Sequence, residues 1–101
     1  MCPVPEHAVV LFIRSFLDER RSLYQLEDAL AAAIDEAGAG EFDGNEVGPD
    51  GAILYMYGPD ADVLWETIES VVRAASVGPG SNVVKRYGEP GAREVRIDLH
   101  T

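Results

Sequence analysis

Two stretches of helical periodicity, each set between short runs of β-branched and aromatic residues, constrain this chain more than any other feature. In the first, Leu23, Leu26, Leu30, Ile34 and Ala37 recur at three- or four-residue intervals until Gly38 stops the run, so the spacing predicts a helix over 22–37. Ser22 and Gln25 stand at the spacing of a capping box, which puts the start at Ser22. In the second, Leu64, Ile68, Val71, Val72 and Ala75 share one face. Pro59 suits the first helical position, Asp60 and Asp62 suit the positive end of the helix dipole, and Gly78-Pro79-Gly80 ends the run.

The runs between the helices read as strands. "AVVLFIR", 8–14, is apolar on both alternating faces, as an interior strand is. "EFDGNEV", 41–47, is polar and suits a sheet edge, and "GPDG", 48–51, is a proline-led turn into the apolar "AILYMYG", 52–58. "NVVKRYG" and "REVRIDL" flank the turn-forming "GEPGA", with Val95, Ile97 and Leu99 in clean alternation. For Phe42 and Val47 both to face the core, the polar strand must gain one residue, and Gly44-Asn45 is where a β-bulge fits. The order predicts one α+β domain over residues 1–101: a ferredoxin-like βαββαβ sandwich with an extra C-terminal strand and both helices on one face of a mainly antiparallel sheet. Right-handed crossovers then set the first and third strands side by side in the middle.

Charge narrows the function. The net charge is −10, and from Glu27 to Glu69 there are twelve acidic residues and no lysine or arginine. From Arg73 onward five basic residues meet three acidic ones. Such a field repels phosphate polyanions and anionic membranes, and it favours a basic protein or a complementary copy of the chain. The apolar run 8–13 is far short of the roughly 20 residues a membrane span needs, and "MCPVPEH" has the marks of no secretion signal. With its single cysteine, the chain is expected to be cytoplasmic.

Catalytic and metal devices fare poorly. Counted as a calcium loop from Asp43, the acidic stretch has Asn45 and Gly48 in place, but Val47 and Leu54 stand where oxygen ligands belong. His7, His100 and Cys2 are the only imidazole and thiol groups; the topology sets the two histidines at opposite edges of the sheet, each read as terminal and solvated, so no metal, cofactor or triad is expected. "VGPGSN", 77–82, ends a helix instead of opening one, unlike a phosphate loop. Ile53, Tyr55 and Tyr57 alternate to the face away from the helices, as base-stacking aromatics do in RNA-recognition domains, but the basic companions of that motif are missing and the net charge opposes it.

"GEFDGNEVG", "LYMYGPDAD" and "KRYGEPGAREVRIDL" together resemble small bacterial proteins of uncharacterised function with an E-(F/Y)-D-G-x-E segment before a YGPDAD helix start, over about residues 23 to 99. The resemblance implies no activity and no catalytic residue. At Phe42, Asp43 and Gly44 alone the chain is also similar to inhibitor proteins of ribonuclease E.

These features point to a non-enzymatic protein-interaction or regulatory module, acting as an inhibitor of a basic partner through Glu41, Asp43 and Glu46. Ile53, Tyr55 and Tyr57 form the expected interface, closed by a second copy in a face-to-face homodimer. The alternative is a small-molecule-binding or enzymatic dimer with its pocket on that face.

Overall fold

The computed structural model describes residues 6–14, 20–48, 51–74 and 80–99. Seven elements follow one another: β1 (His7–Arg14), α1 (Arg20–Ala37), β2 (Glu41–Gly48), β3 (Gly51–Gly58), α2 (Ala61–Ala74), β4 (Asn82–Arg86) and β5 (Glu94–Asp98). The protein is α+β, with two helices and one open antiparallel sheet in the order β2-β3-β1-β4-β5. β1 and β3 lie side by side inside it, as their apolar sequences require, and polar β2 is an edge. The Pro49-Asp50 tip of the expected turn, the Gly78-Pro79 helix stop, the first five residues and His100 lie outside the described residues.

One face of the sheet builds the core. Val9, Leu11 and Ile13 of β1, Ala52, Leu54 and Met56 of β3 and Val83 of β4 are buried against Leu26, Leu30 and Ile34 of α1 and Leu64, Trp65, Ile68 and Val72 of α2. This is the period-2 pattern of the strands meeting the period-3.6 stripe of the helices. Trp65 is a core residue, 6% exposed.

The joints differ in detail from the sequence reading. α1 begins at Arg20, two residues ahead of the Ser22 cap, because Arg20 and Arg21 are good helix formers that prolong the run backwards. It ends in a Schellman motif: the Gly38 N–H donates to the Asp35 carbonyl and the Ala39 N–H to that of Ile34, with Gly38 at φ 63°. α2 begins at Ala61, so Pro59 stands outside the helix and Asp60 is its cap. The bulge falls one residue earlier than Gly44-Asn45: Phe42 pairs with Met56 and Gly44 with Tyr55, leaving Asp43 as the inserted residue. Either position restores the alternation, and Gly44 accepts the left-handed backbone there at φ 148°. Phe42 and Val47 do share the helix-side face, opposite Met56 and Ala52, although Val47 at the strand end remains 52% exposed.

Candidate functional site

The register of the five strands lays out the face that carries no helix. Across its middle run Tyr55, Val10 and Val84; on one side lie Tyr57 and Ala8, and on the other Ile53 and Phe12. Val10, Phe12, Ile53, Tyr55, Tyr57 and Val84 are half-buried by their neighbours within the sheet, and no described element lies over them. The three residues expected at an interface, Ile53, Tyr55 and Tyr57, thus stand in one row down β3 and continue directly into β1 and β4.

The acidic trio frames this patch. Glu41 stands opposite Tyr57 and Glu46 opposite Ile53, both on the open face, and Asp43 projects from the bulge between them. Glu46 borders the patch itself: burial raises the Tyr55 hydroxyl above its ordinary pKa, and the negative charge of the nearby Glu46 carboxylate raises it further. On the far side Arg86, Glu94, Arg96 and Asp98 occupy the same face. Acidic edge and aromatic row are therefore one continuous surface. A shallow depression of about 450 Å³ opens at one end of it, lined by Phe12, Ile53, Glu46 and Asn82 among others, but not by Tyr55 or Tyr57.

A second cluster, which the sequence reading missed, lies where α2 begins. The His7 ring is not a solvated terminus: Nδ1 accepts the Ala61 N–H at 3.0 Å, and the ring meets Tyr87 edge-on at 5.8 Å. Asp60 Oδ1 accepts the N–H groups of Asp62 and Val63, and its carbonyl accepts that of Leu64. The first donors of α2 are thus all satisfied, and none is left to hold an anion. Asp62 Oδ1 accepts Lys85 Nζ at 2.8 Å and the Tyr87 hydroxyl at 2.6 Å, while Arg93 lies 4.7 Å from the centre of the Tyr87 ring. The register was the available signal, since β1 pairs with β3 so that His7 faces Gly58, just ahead of the Pro59-Asp60 start.

This cluster holds elements together. The Lys85 bond, then the Tyr87 bond, holds the Asp62 carboxyl below its ordinary value, and Asp62 in turn raises Lys85. An ionised carboxyl cannot deliver a proton, and a firmly protonated amine cannot attack as a nucleophile. Their linkage to stability has a defined sign. Asp62 stabilises the fold above its unfolded value of about 3.8, and this is lost as pH falls through the lower folded value; Lys85 contributes below about 10.5, and this is lost above its raised folded value. Lys85→Met should therefore flatten the acid limb of a urea-midpoint profile run from about pH 6 down past pH 3.8, by a small amount because Asp62 is 55% exposed. An acid limb identical in both proteins would refute the coupling.

Among the described residues no group of three or more His, Cys, Asp or Glu side chains converges to hold a metal ion, and no described helix is long and apolar enough to cross a membrane. Compared with family models, curated proteins and solved structures, the chain matches none. Its functional reading stands on the geometry of the two faces.

Proposed function

We propose that the chain is a non-enzymatic protein-interaction module, a ferredoxin-like βαββαβ unit extended by β5, whose open sheet face docks a basic partner protein and regulates it by covering its surface. The observation that carries this reading is the apolar row Ile53, Tyr55 and Tyr57, continuous with Val10, Phe12 and Val84 and bordered by Glu41 and Glu46. A patch of this kind, apolar at its centre and charged at its rim, is the anatomy of a protein interface. The strand order β2-β3-β1-β4 supports the ferredoxin-like assignment.

The charge selects the partner. A net charge of −10 favours the encounter with a cationic protein and disfavours nucleic acid or an anionic membrane, more strongly as the salt is lowered. At close range Glu41, Asp43 and Glu46 fix the orientation and the apolar row supplies the affinity. The lone cysteine fits a cytoplasmic setting for this encounter. Reversing Glu41, Asp43 and Glu46 to lysine should lower recovery of a basic partner in pull-down about tenfold or more, with the helical circular dichroism unchanged. Recovery equal to that of the native protein would defeat the charge-reading part of this proposal.

A further inference from the structure

The two edges of the sheet are built differently. β2 is guarded: it carries the Asp43 bulge and the carboxylates of Glu41, Asp43 and Glu46, devices that stop another strand from adding to it. β5 has neither bulge nor proline and runs in unbroken register with β4, from Asn82↔Asp98 to Arg86↔Glu94. No described helix packs on it, and Val95, on the helix side, is 36% exposed.

Its free backbone groups can be assigned. The Leu99 N–H donates to the Ser81 carbonyl and the Tyr87 N–H to that of Arg93, so Arg93, Val95, Ile97 and Leu99 direct their polar groups toward β4. By alternation, the N–H and C=O of Glu94, Arg96 and Asp98 point outward, away from the sheet. We propose that β5 pairs antiparallel with β5 of a second copy of this chain, about a two-fold axis passing through Ile97, joining the two sheets edge to edge.

Charge complementarity selects this register. Centring the axis on Arg96 sets Arg96 against itself and Glu94 against Asp98, which opposes like charges throughout. Centring it on Val95 opposes Glu94 to Arg96 but puts Arg93 against Ile97. Centred on Ile97, Arg96 faces Asp98 on both sides of the axis, Ile97 faces itself and Val95 faces Leu99, so charges and apolar groups are both matched. The 96/98 pairs are also those whose outward groups exchange backbone hydrogen bonds, and the Ile97 pair falls in the closer, non-hydrogen-bonded position. β5 lies in the stretch from Arg73 onward, where five basic residues meet three acidic ones, and at physiological salt the repulsion between two acidic bodies is screened beyond about 8 Å. The pairing does not rest on the docking role of the open face, and it leaves that face free on both copies. The homodimer expected from the sequence is face to face across Ile53, Tyr55 and Tyr57; this pairing joins the two copies at β5 instead.

Light scattering across a concentration series tests it. The native chain should approach twice its 10.9 kDa mass. Arg96→Asp and Asp98→Arg should each weaken the dimer about tenfold or more, and the double variant, which restores opposite charges, should recover it. Both side chains are well exposed, at 67% and 73%, so the fold survives these changes. Arg96→Pro removes an outward N–H together with the Arg96 charge and should also give monomer, whereas Tyr55→Ser should leave the dimer intact. A monomer at every concentration, a dimer indifferent to Arg96→Asp, a double variant that stays monomeric, or a dimer lost in Tyr55→Ser would each overturn the proposal. Loss of partner recovery by Tyr55→Ser is read separately and bears only on the open face.

Discussion

Leu54→Ala should destabilise the fold by about 3 kcal/mol, whereas Tyr55→Ala, one residue along the same strand, should cost well under half of that. Leu54 is fully buried on β3, between Leu11 of β1 and Asn45 of β2 in the sheet and beneath the helices. Its removal opens a cavity that close-packed neighbours on every side cannot refill. Tyr55 points to the open face, where water and Glu46 replace whatever it gives up. For a domain of this size the Leu54 change lowers the melting temperature by about 12 °C or more, a large share of a total stability of about 5 to 15 kcal/mol. Thermal denaturation of the two variants side by side decides it. Equal losses would mean that the two faces of the sheet are covered alike, contrary to the architecture described.

The second large effect is expected where backbones cross. Gly40, between α1 and β2, lies so close to the end of β3 that a Cβ would run into the Tyr57 carbonyl, and a Cβ on Gly58 would meet the Ala39 carbonyl in the same way. The two glycines interlock, which is how the return from α1 reaches the edge of the sheet. Gly40→Ala adds a collision with main chain, which cannot swing aside, to a backbone at φ 150°, and should cost on the order of 3 kcal/mol. Gly44→Ala is the control. Its φ of 148° is nearly the same, but nothing lies within 4 Å of the added carbon, so only the backbone strain of about 1 kcal/mol should appear. Urea unfolding of both variants separates collision from strain, and equal costs would remove the crossing as an explanation.

The layout of the chain was largely legible because hydrophobic periodicity is local: Val9, Leu11 and Ile13, or Leu64, Ile68 and Val72, announce their elements and their faces without reference to any other part of the chain. The edge character of β2 and the helix stop at Gly38 could be read for the same reason. What escaped is non-local. The Asp62 contacts with Lys85 and Tyr87 span 23 and 25 residues, and the His7 cap on Ala61 spans 54. Polar side chains have no periodicity to betray their partners, and these meet only once the strand register is known. The bulge was legible as a necessity but not to the residue, since Asp43 and the Gly44-Asn45 step restore the alternation equally well. The start of α1 was misplaced because a capping signal at Ser22 competes with two good helix formers ahead of it. Of the candidate site, residue types and faces were readable. That Glu46 lies beside the aromatic row, opposite Ile53 and near enough to Tyr55 for its charge to act on the hydroxyl, followed only from the pairing of β2 with β3 across the bulge.

The central claim is that the open sheet face, and no other surface of this acidic protein, receives the partner. Recovery of basic proteins from a lysate should be compared, by quantitative mass spectrometry, among the native chain, an Ile53→Ser/Tyr55→Ser variant and an Asp35→Lys/Glu36→Lys variant of the exposed side of α1. The account predicts that a basic protein retained by the native chain and by the α1 variant is lost with the sheet-face variant. Retention by the sheet-face variant together with loss on changing α1 would contradict it.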